Sequence, residues 1–296
     1  MVKPAGRPAF ADQGISERKE GHMPRSRLWA LIALVGALAA GLIVAGCGGD
    51  DDEGVDTGDI ETLKSGVLTV GSDIPFPPFE QGDPPDYEGF DIDVINEIAD
   101  RLELEIEIVD MPFDVVLAGG KGRYDAAIAA TTIKPGRENK VDFSDPYFEA
   151  SQGLLVPAGG DVASIGDLGS DSVIGAQDGT TGETYAEENT EAEVRPFPEI
   201  DDAYTALANG QVDAVLNDLP SVATAVDANP DLEVVETFAT EELYGILFPE
   251  ESDPLREAVN DALQDMKDDG TLEEIFREWF DEEISESLLE ATHEPS

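Results

Sequence analysis

Arg137 is the first residue in the chain whose type and position suggest chemistry. It sits in residues 131–148, TTIKPGRENKVDFSDPYF, of a chain with 17 basic residues against 66 acidic ones. It follows Pro135-Gly136, a turn signal, and Thr131 and Thr132 offer hydroxyls just before it. A guanidinium is shaped for bidentate grip on a carboxylate. The competing role is a surface ion pair with Glu138 or Asp142, worth only ~0–1 kcal/mol. Three other stretches carry candidate groups. GSDIPFPPFE (71–80) offers Asp73, Phe76 and Phe79 on a proline-stiffened loop, or else a structural turn with buried rings. QDGTTGE (177–183) reads as a glycine-rich strand-to-helix turn, whose backbone N–H groups attract an anion. It lacks both Gly-Lys-Ser/Thr and G-x-G-x-x-G, so a small carboxylate fits it better than a nucleotide. Asp218 ends VDAVLND, where it suits an ammonium ion or the N-cap of a helix running to about Val226. Arg137 for a carboxylate, Asp218 for an amine and Phe76 for a side chain together describe an α-amino acid.

Composition narrows the alternatives. Cys47 is the only cysteine, which excludes an intrachain disulfide. The two histidines, His22 and His293, lie near the two ends. The body therefore lacks the groups for Ser-His-Asp or Cys-His catalysis and for the usual zinc sites. Carboxylate-only catalysis and an all-oxygen site for a hard metal stay open. The formal net charge of -49 excludes nucleic acid as a partner, because phosphate backbones need basic footprints. Acidity on this scale favours solubility.

The elements that must position these groups begin after an export signal. In MPRSRLWALIALVGALAAGLIVAGCGGDDDEG, Arg25 and Arg27 precede a continuous apolar run over residues 28–45, then Gly46 and Cys47. This is the pattern of a secretory signal. It resembles a bacterial lipoprotein signal with Val44-Ala45-Gly46-Cys47 as lipobox, which implies cleavage before Cys47 and acylation of that residue. Val44 stands where Leu is commoner. An uncleaved anchor is the alternative, since the run approaches the ~20 residues a span needs. Residues 1–46 are thus a lipoprotein-type signal, with Met23 the better start, and residues 47–64 an acidic flexible tether that self-repels. The signal holds three acids and six bases, leaving 63 acids against 11 bases in the remainder.

From residue 65 onward, short apolar strands alternate with amphipathic helices. VLTVGSD (67–73), ELEIEIV (103–109) and YDAAIAA (124–130) read as strands, and residues 90–102 as a helix with Val94, Ile95, Ile98 and Leu102 on one stripe. A second run has strands at 172–177 and 212–218 and helices opening at 180 and 201, followed by helices at 253–268 and 271–280. This predicts an α/β fold with a mostly parallel sheet. GRYDAAIAA (122–130) and GQVDAVLND (210–218) echo each other 88 residues apart. The echo and the repeated element order predict two like-built lobes, with Ala130 and Asp218 at equivalent strand ends facing a cleft, as in a hinged clamp.

On the segments YEGFDIDVINEIADRL, YDAAIAATTIKPGRENKVDFSDPYF, DGTTGETYAEE, VDAVLND and MKDDGTLEEIFREWF, residues 65–281 resemble a family 3 extracytoplasmic solute-binding protein, the polar amino acid receptor of ABC importers. The resemblance implies a two-lobed type II periplasmic binding protein fold with the ligand in the cleft. Lobe 1 would comprise residues 65–150 and 247–281, lobe 2 residues 156–240, and the hinge residues 151–155 and 241–246, followed by an acidic tail over 282–296. It further implies that Arg137 grips the α-carboxylate, with Thr180 and Thr181 adding contacts. The Thr132 hydroxyl, the Ala130 carbonyl and Asp218 would hold the α-ammonium. Phe76 and Phe113 would flank the side chain, and Asp73 would meet its polar or cationic end. Ala129 and Ala130 stand where some relatives have serines, and Gly182 offers no side chain. The implied function is a monomeric receptor, lipid-anchored outside the cytoplasm, that delivers a polar amino acid to a permease without any cofactor. A cyclohexadienyl dehydratase-like enzyme and a sensory ligand-binding protein are the alternatives on the same scaffold.

Overall fold

The computed structural model describes residues 60–120, 122–250 and 252–293. The signal, Cys47 and most of the tether lie outside these residues. The first run of elements is β1 (Val67–Ser72), a hairpin of β2 (Gln81–Asp83) and β3 (Asp86–Glu88), α1 (Phe90–Arg101), β4 (Glu105–Asp110), α2 (Phe113–Leu117), β5 (Ala126–Ala127), α3 (Pro135–Glu138) and β6 (Val141–Phe143). The long strand β7 (Phe148–Pro157) leads to β8 (Val173–Gln177), α4 (Thr181–Asn189), β9 (Glu193–Phe197), α5 (Ile200–Ala208), β10 (Ala214–Asp218) and α6 (Leu219–Ala228). A second long strand, β11 (Leu232–Tyr244), returns to β12 (Leu247–Pro249), α7 (Asp253–Asp269), α8 (Thr271–Phe280) and α9 (Glu286–Leu289).

Two five-stranded sheets result, ordered β4-β1-β5-β12-β6 and β11-β7-β10-β8-β9. Read from the parallel edge, they match position by position. In each, two strands flank the third in parallel register on one side (β4-β1 with β5, β9-β8 with β10), and a strand entering from the other sheet pairs antiparallel on the other side. The sheets are therefore mixed rather than mostly parallel. The departure comes from the returning strands, which sequence periodicity does not orient.

The repeated G-x-x-D has a physical cause. Gly122 and Gly210 take φ of 74° and 68°, a left-handed turn that favours glycine. The aspartate that follows each turn accepts a backbone N–H of the neighbouring strand at 2.8 Å: Asp125 from Thr69 within β1, Asp213 from Val173 at the start of β8. The motif thus docks each third strand against its parallel neighbour.

Apolar spacing accounts for the helices. α1 buries Val94, Ile95 and Ile98 on the face predicted for it. α8 contributes Phe276 and Phe280 to an aromatic cluster with Phe79, Phe90, Phe148 and Tyr244, with ring centroids 4.9–6.2 Å apart for the paired rings. Phe148 opens β7 and Tyr244 closes β11, so the cluster clamps the base of both crossing strands. The stretches 151–155 and 241–246 fall within β7 and around the end of β11, whose pairing skips between Phe238 and Glu242. The segment after α8 packs onto the body: Leu288 is buried, and the Lys267 ammonium donates to the Ala291 carbonyl at 2.9 Å.

Candidate ligand-binding site

All nine residues named from the sequence line one cavity between the two sheets, which encloses about 320 Å³ of non-atom space, part of it open to solvent. Asp73, Phe76, Phe113, Ala130, Thr132 and Arg137 face it from the first sheet; Thr180, Thr181 and Asp218 face it from the second.

Arg137 sits on α3, a single turn started by Pro135 at its first position. It is only 6% exposed and makes neither of the surface pairs open to it. Its guanidinium donates to the Thr132 carbonyl (2.9 Å) and, across the cleft, to the Gly179 carbonyl (3.2 Å). It lies 5.4 Å from the centre of the Phe113 ring. Its Nε is buried without a partner. Burial lowers its pKa to about 10, so it is charged at neutral pH and short of an anion.

Asp218 occupies the N-cap position of α6, but its side chain does not cap the helix. Its carboxylate instead accepts from the Gln152 amide on β7. Burial, and then the nearby Glu242 carboxylate, push its pKa up to about 7. Ala130 explains why β5 ends at Ala127 rather than at 130. It takes φ of 43°, a strained turn for a residue with a side chain, costing ~1–3 kcal/mol. The Ala130 N–H donates at 2.8 Å to Asp91, in the first turn of α1, and Tyr147 donates to the same oxygen at 2.9 Å. The GFD of the first helix therefore braces the strained end of β5.

The opposite end of the cavity is acidic. Asp73 accepts at 2.8 Å from the Gln177 amide across the cleft, and burial followed by the Glu199 charge raises its pKa to about 7. Glu80 is fully buried, and neither oxygen has a hydrogen-bond donor. It faces Asp91, and burial followed by that charge holds its pKa well above the ordinary value. Phe76 stacks on Phe79 at 5.9 Å, so one ring faces the cavity and the other anchors the core.

Thr180 is the N-cap of α4. Its hydroxyl accepts from Glu183 N (3.2 Å) and donates to the Gln177 carbonyl (2.7 Å), which commits its proton to the fold. The helix start that borders the cavity supplies the favourable dipole at this edge.

Sequence reasoning missed Glu80, Gln177, Gln152 and Glu242. Glu80 ended, and Gln177 opened, stretches already singled out, and an acid closing the apolar run FPPFE was a legible sign of burial. Gln152 and Glu242 carried no signal, because Glu242 sits in the ordinary-looking acidic run TEEL.

Residues 68–282 match the model of the bacterial extracellular solute-binding proteins, family 3. The chain belongs to that family. This family 3 protein is similar to the ABC transporter glutamine-binding protein GlnH of Bacillus subtilis, 34% identical over 67% of this chain and 75% of that one. It is 32% identical to a probable histidine-binding protein of Neisseria gonorrhoeae, over 86% of this chain and 96% of that one. Among solved structures it resembles an ancestral arginine-binding protein bound to arginine, with a TM-score of 0.69 and 37% identity over 73% of this chain and 98% of that one. As a family 3 member it has the two-lobed type II fold of extracytoplasmic amino acid-binding proteins of ABC transporters. All three relatives are named for binding rather than catalysis.

Proposed function

We propose that this chain is the amino acid receptor of an ABC importer, anchored outside the cytoplasm by lipid on Cys47, which captures a free amino acid between its lobes and presents it to the permease. The observation that carries the reading is the placement of Arg137 and Asp218 on opposite walls of one buried cavity. An α-amino acid supplies a carboxylate for the first and an ammonium for the second. With both bound the ligand bridges the lobes, which is the differential affinity that closure requires.

The same cavity favours a ligand whose side chain ends in a cation or an amide. Its lining holds three acids, Asp73, Glu80 and Asp218, against one base, Arg137. Once Asp218 is assigned to the α-ammonium, Asp73 and Glu80 remain for the side chain. A cation there lets both ionise, while an amide donates to one and leaves the other protonated. The names of the relatives, glutamine-binding and arginine-binding, lie on both sides of that choice.

A thermal-shift screen of the purified protein against the twenty amino acids tests the reading. A ligand at 100 times its Kd stabilises by ~2.7 kcal/mol. Arginine, lysine or glutamine is expected to raise the transition, and a screen in which no amino acid moves it would rule out the assignment.

A further inference from the structure

Glu242 is 6% exposed, and among the described residues no basic side chain forms an ion pair with it. Burying a carboxylate without a cation is costly unless its lone pairs are fully used. They are used in a particular way. One oxygen accepts the Thr132 hydroxyl at 2.7 Å. The other accepts the Thr240 hydroxyl at 2.8 Å and the Gln152 amide at 3.0 Å. The same Gln152 nitrogen donates to Asp218. One amide thus ties two carboxylates together beside the place assigned to the α-ammonium.

The consequence for Thr132 is a matter of counting protons. A hydroxyl has one hydrogen and two lone pairs. With that hydrogen committed to Glu242, Thr132 presents only lone pairs to the cavity and is fixed as an acceptor, which matches an ammonium and not a carbonyl or ether oxygen. Glu242 also lies on a crossing strand. It follows Glu241, held at φ of 50°, at the point where pairing with β7 skips. Gln152 sits on β7, the other crossing strand, and Thr132 on the first-sheet wall.

We propose that Glu242 is a positioning residue for amine recognition: it locks Thr132 as an acceptor and holds Gln152 against Asp218, so that the crossing strands are tied to the contacts made by the ligand α-ammonium. This rests on the amino acid reading above. The repulsion between Asp218 and Glu242 agrees with it, since an arriving ammonium relieves the crowding of the two acids.

The test compares L-arginine and L-glutamine with their desamino counterparts, 5-guanidinopentanoate and glutaramate, by calorimetry on wild-type, Glu242→Ala, Glu242→Gln, Thr132→Val and the Glu242→Ala/Thr132→Val double variant. The role predicts that removing Glu242 lowers the preference for the amino over the desamino compound by roughly ten- to a hundredfold. It also predicts that Thr132→Val costs much less in the Glu242→Ala background than in wild type. Glu242→Gln keeps the shape but exchanges an acceptor for a donor, so it should lose preference as well, and it stands in if the alanine variant does not fold. An unchanged amino/desamino preference in folded Glu242 variants, or strictly additive losses, would overturn the role. Wild-type protein that binds neither amino acid would instead overturn the reading on which it rests.

Discussion

At the scale of single residues, the cavity is a charge-matching problem. Among the described residues Arg137 is the only base in its lining, and it is incompletely partnered; Asp73 and Glu80 are acids whose pKa values burial raises. A cationic side chain pulls both toward ionisation, and an amide does not need this. Glu80→Gln should therefore weaken L-arginine by roughly tenfold or more, the scale of one charge-assisted hydrogen bond, and change L-glutamine far less. Equal losses for both, measured by calorimetry, would contradict the side-chain assignment. Much of this site was legible beforehand because scarcity and loop chemistry mark it: a rare arginine after Pro-Gly, an aspartate at a strand end, aromatics between prolines. Gln152 and Glu242 were not. In a chain with 66 acids, what sets Glu242 apart is its tertiary neighbourhood, which the acidic run around it does not encode.

At the scale of elements, the G-x-x-D turns make a separable prediction. Gly210 has open space around its Cβ position, so Gly210→Ala should cost only the left-handed backbone strain, ~1–2 kcal/mol, with ligand affinity unchanged. Asp125 is buried and accepts two backbone N–H groups, from Leu63 and Thr69. Exposed Asp213 accepts one. Asp125→Ala should accordingly destabilise by ~2–3 kcal/mol and Asp213→Ala by less; denaturant melts giving the reverse order would refute this account of the motif. Helices with clean apolar stripes, such as α1, α7 and α8, were readable almost to the residue. The returning strands were not, because β7, β11 and β12 gain their direction from the sheet they join. β5 shrank to two residues because Asp91 and Tyr147 hold the chain at Ala130 in a turn that its apolar sequence does not announce.

For the whole molecule, three buried aspartates, Asp73, Asp91 and Asp218, are raised to about 7, each chiefly by burial. Unfolded, they would titrate near 3.9. Between those values the folded state binds more protons than the unfolded one, so stability falls as pH rises from about 4 to about 7. The ligand-free protein should therefore melt higher at pH 5 than at pH 8, and relief of self-repulsion in so acidic a chain acts in the same direction. Ligand binding should run the other way, because an ammonium needs Asp218 ionised: affinity should drop as pH falls below 7. A melting temperature that rises steadily from pH 5 to 8 would contradict this picture of the cleft.

The central claim is that one cavity holds an amino acid by Arg137 on one wall and Asp218 on the other. Calorimetric titration of L-arginine and L-glutamine into wild-type and Arg137→Ala protein at pH 8 tests it most directly. The account predicts saturable one-to-one binding of at least one of them to wild type. It predicts a loss of roughly 2–5 kcal/mol on removing Arg137, since the buried ligand carboxylate is left unpaired. Undiminished affinity in Arg137→Ala would contradict it.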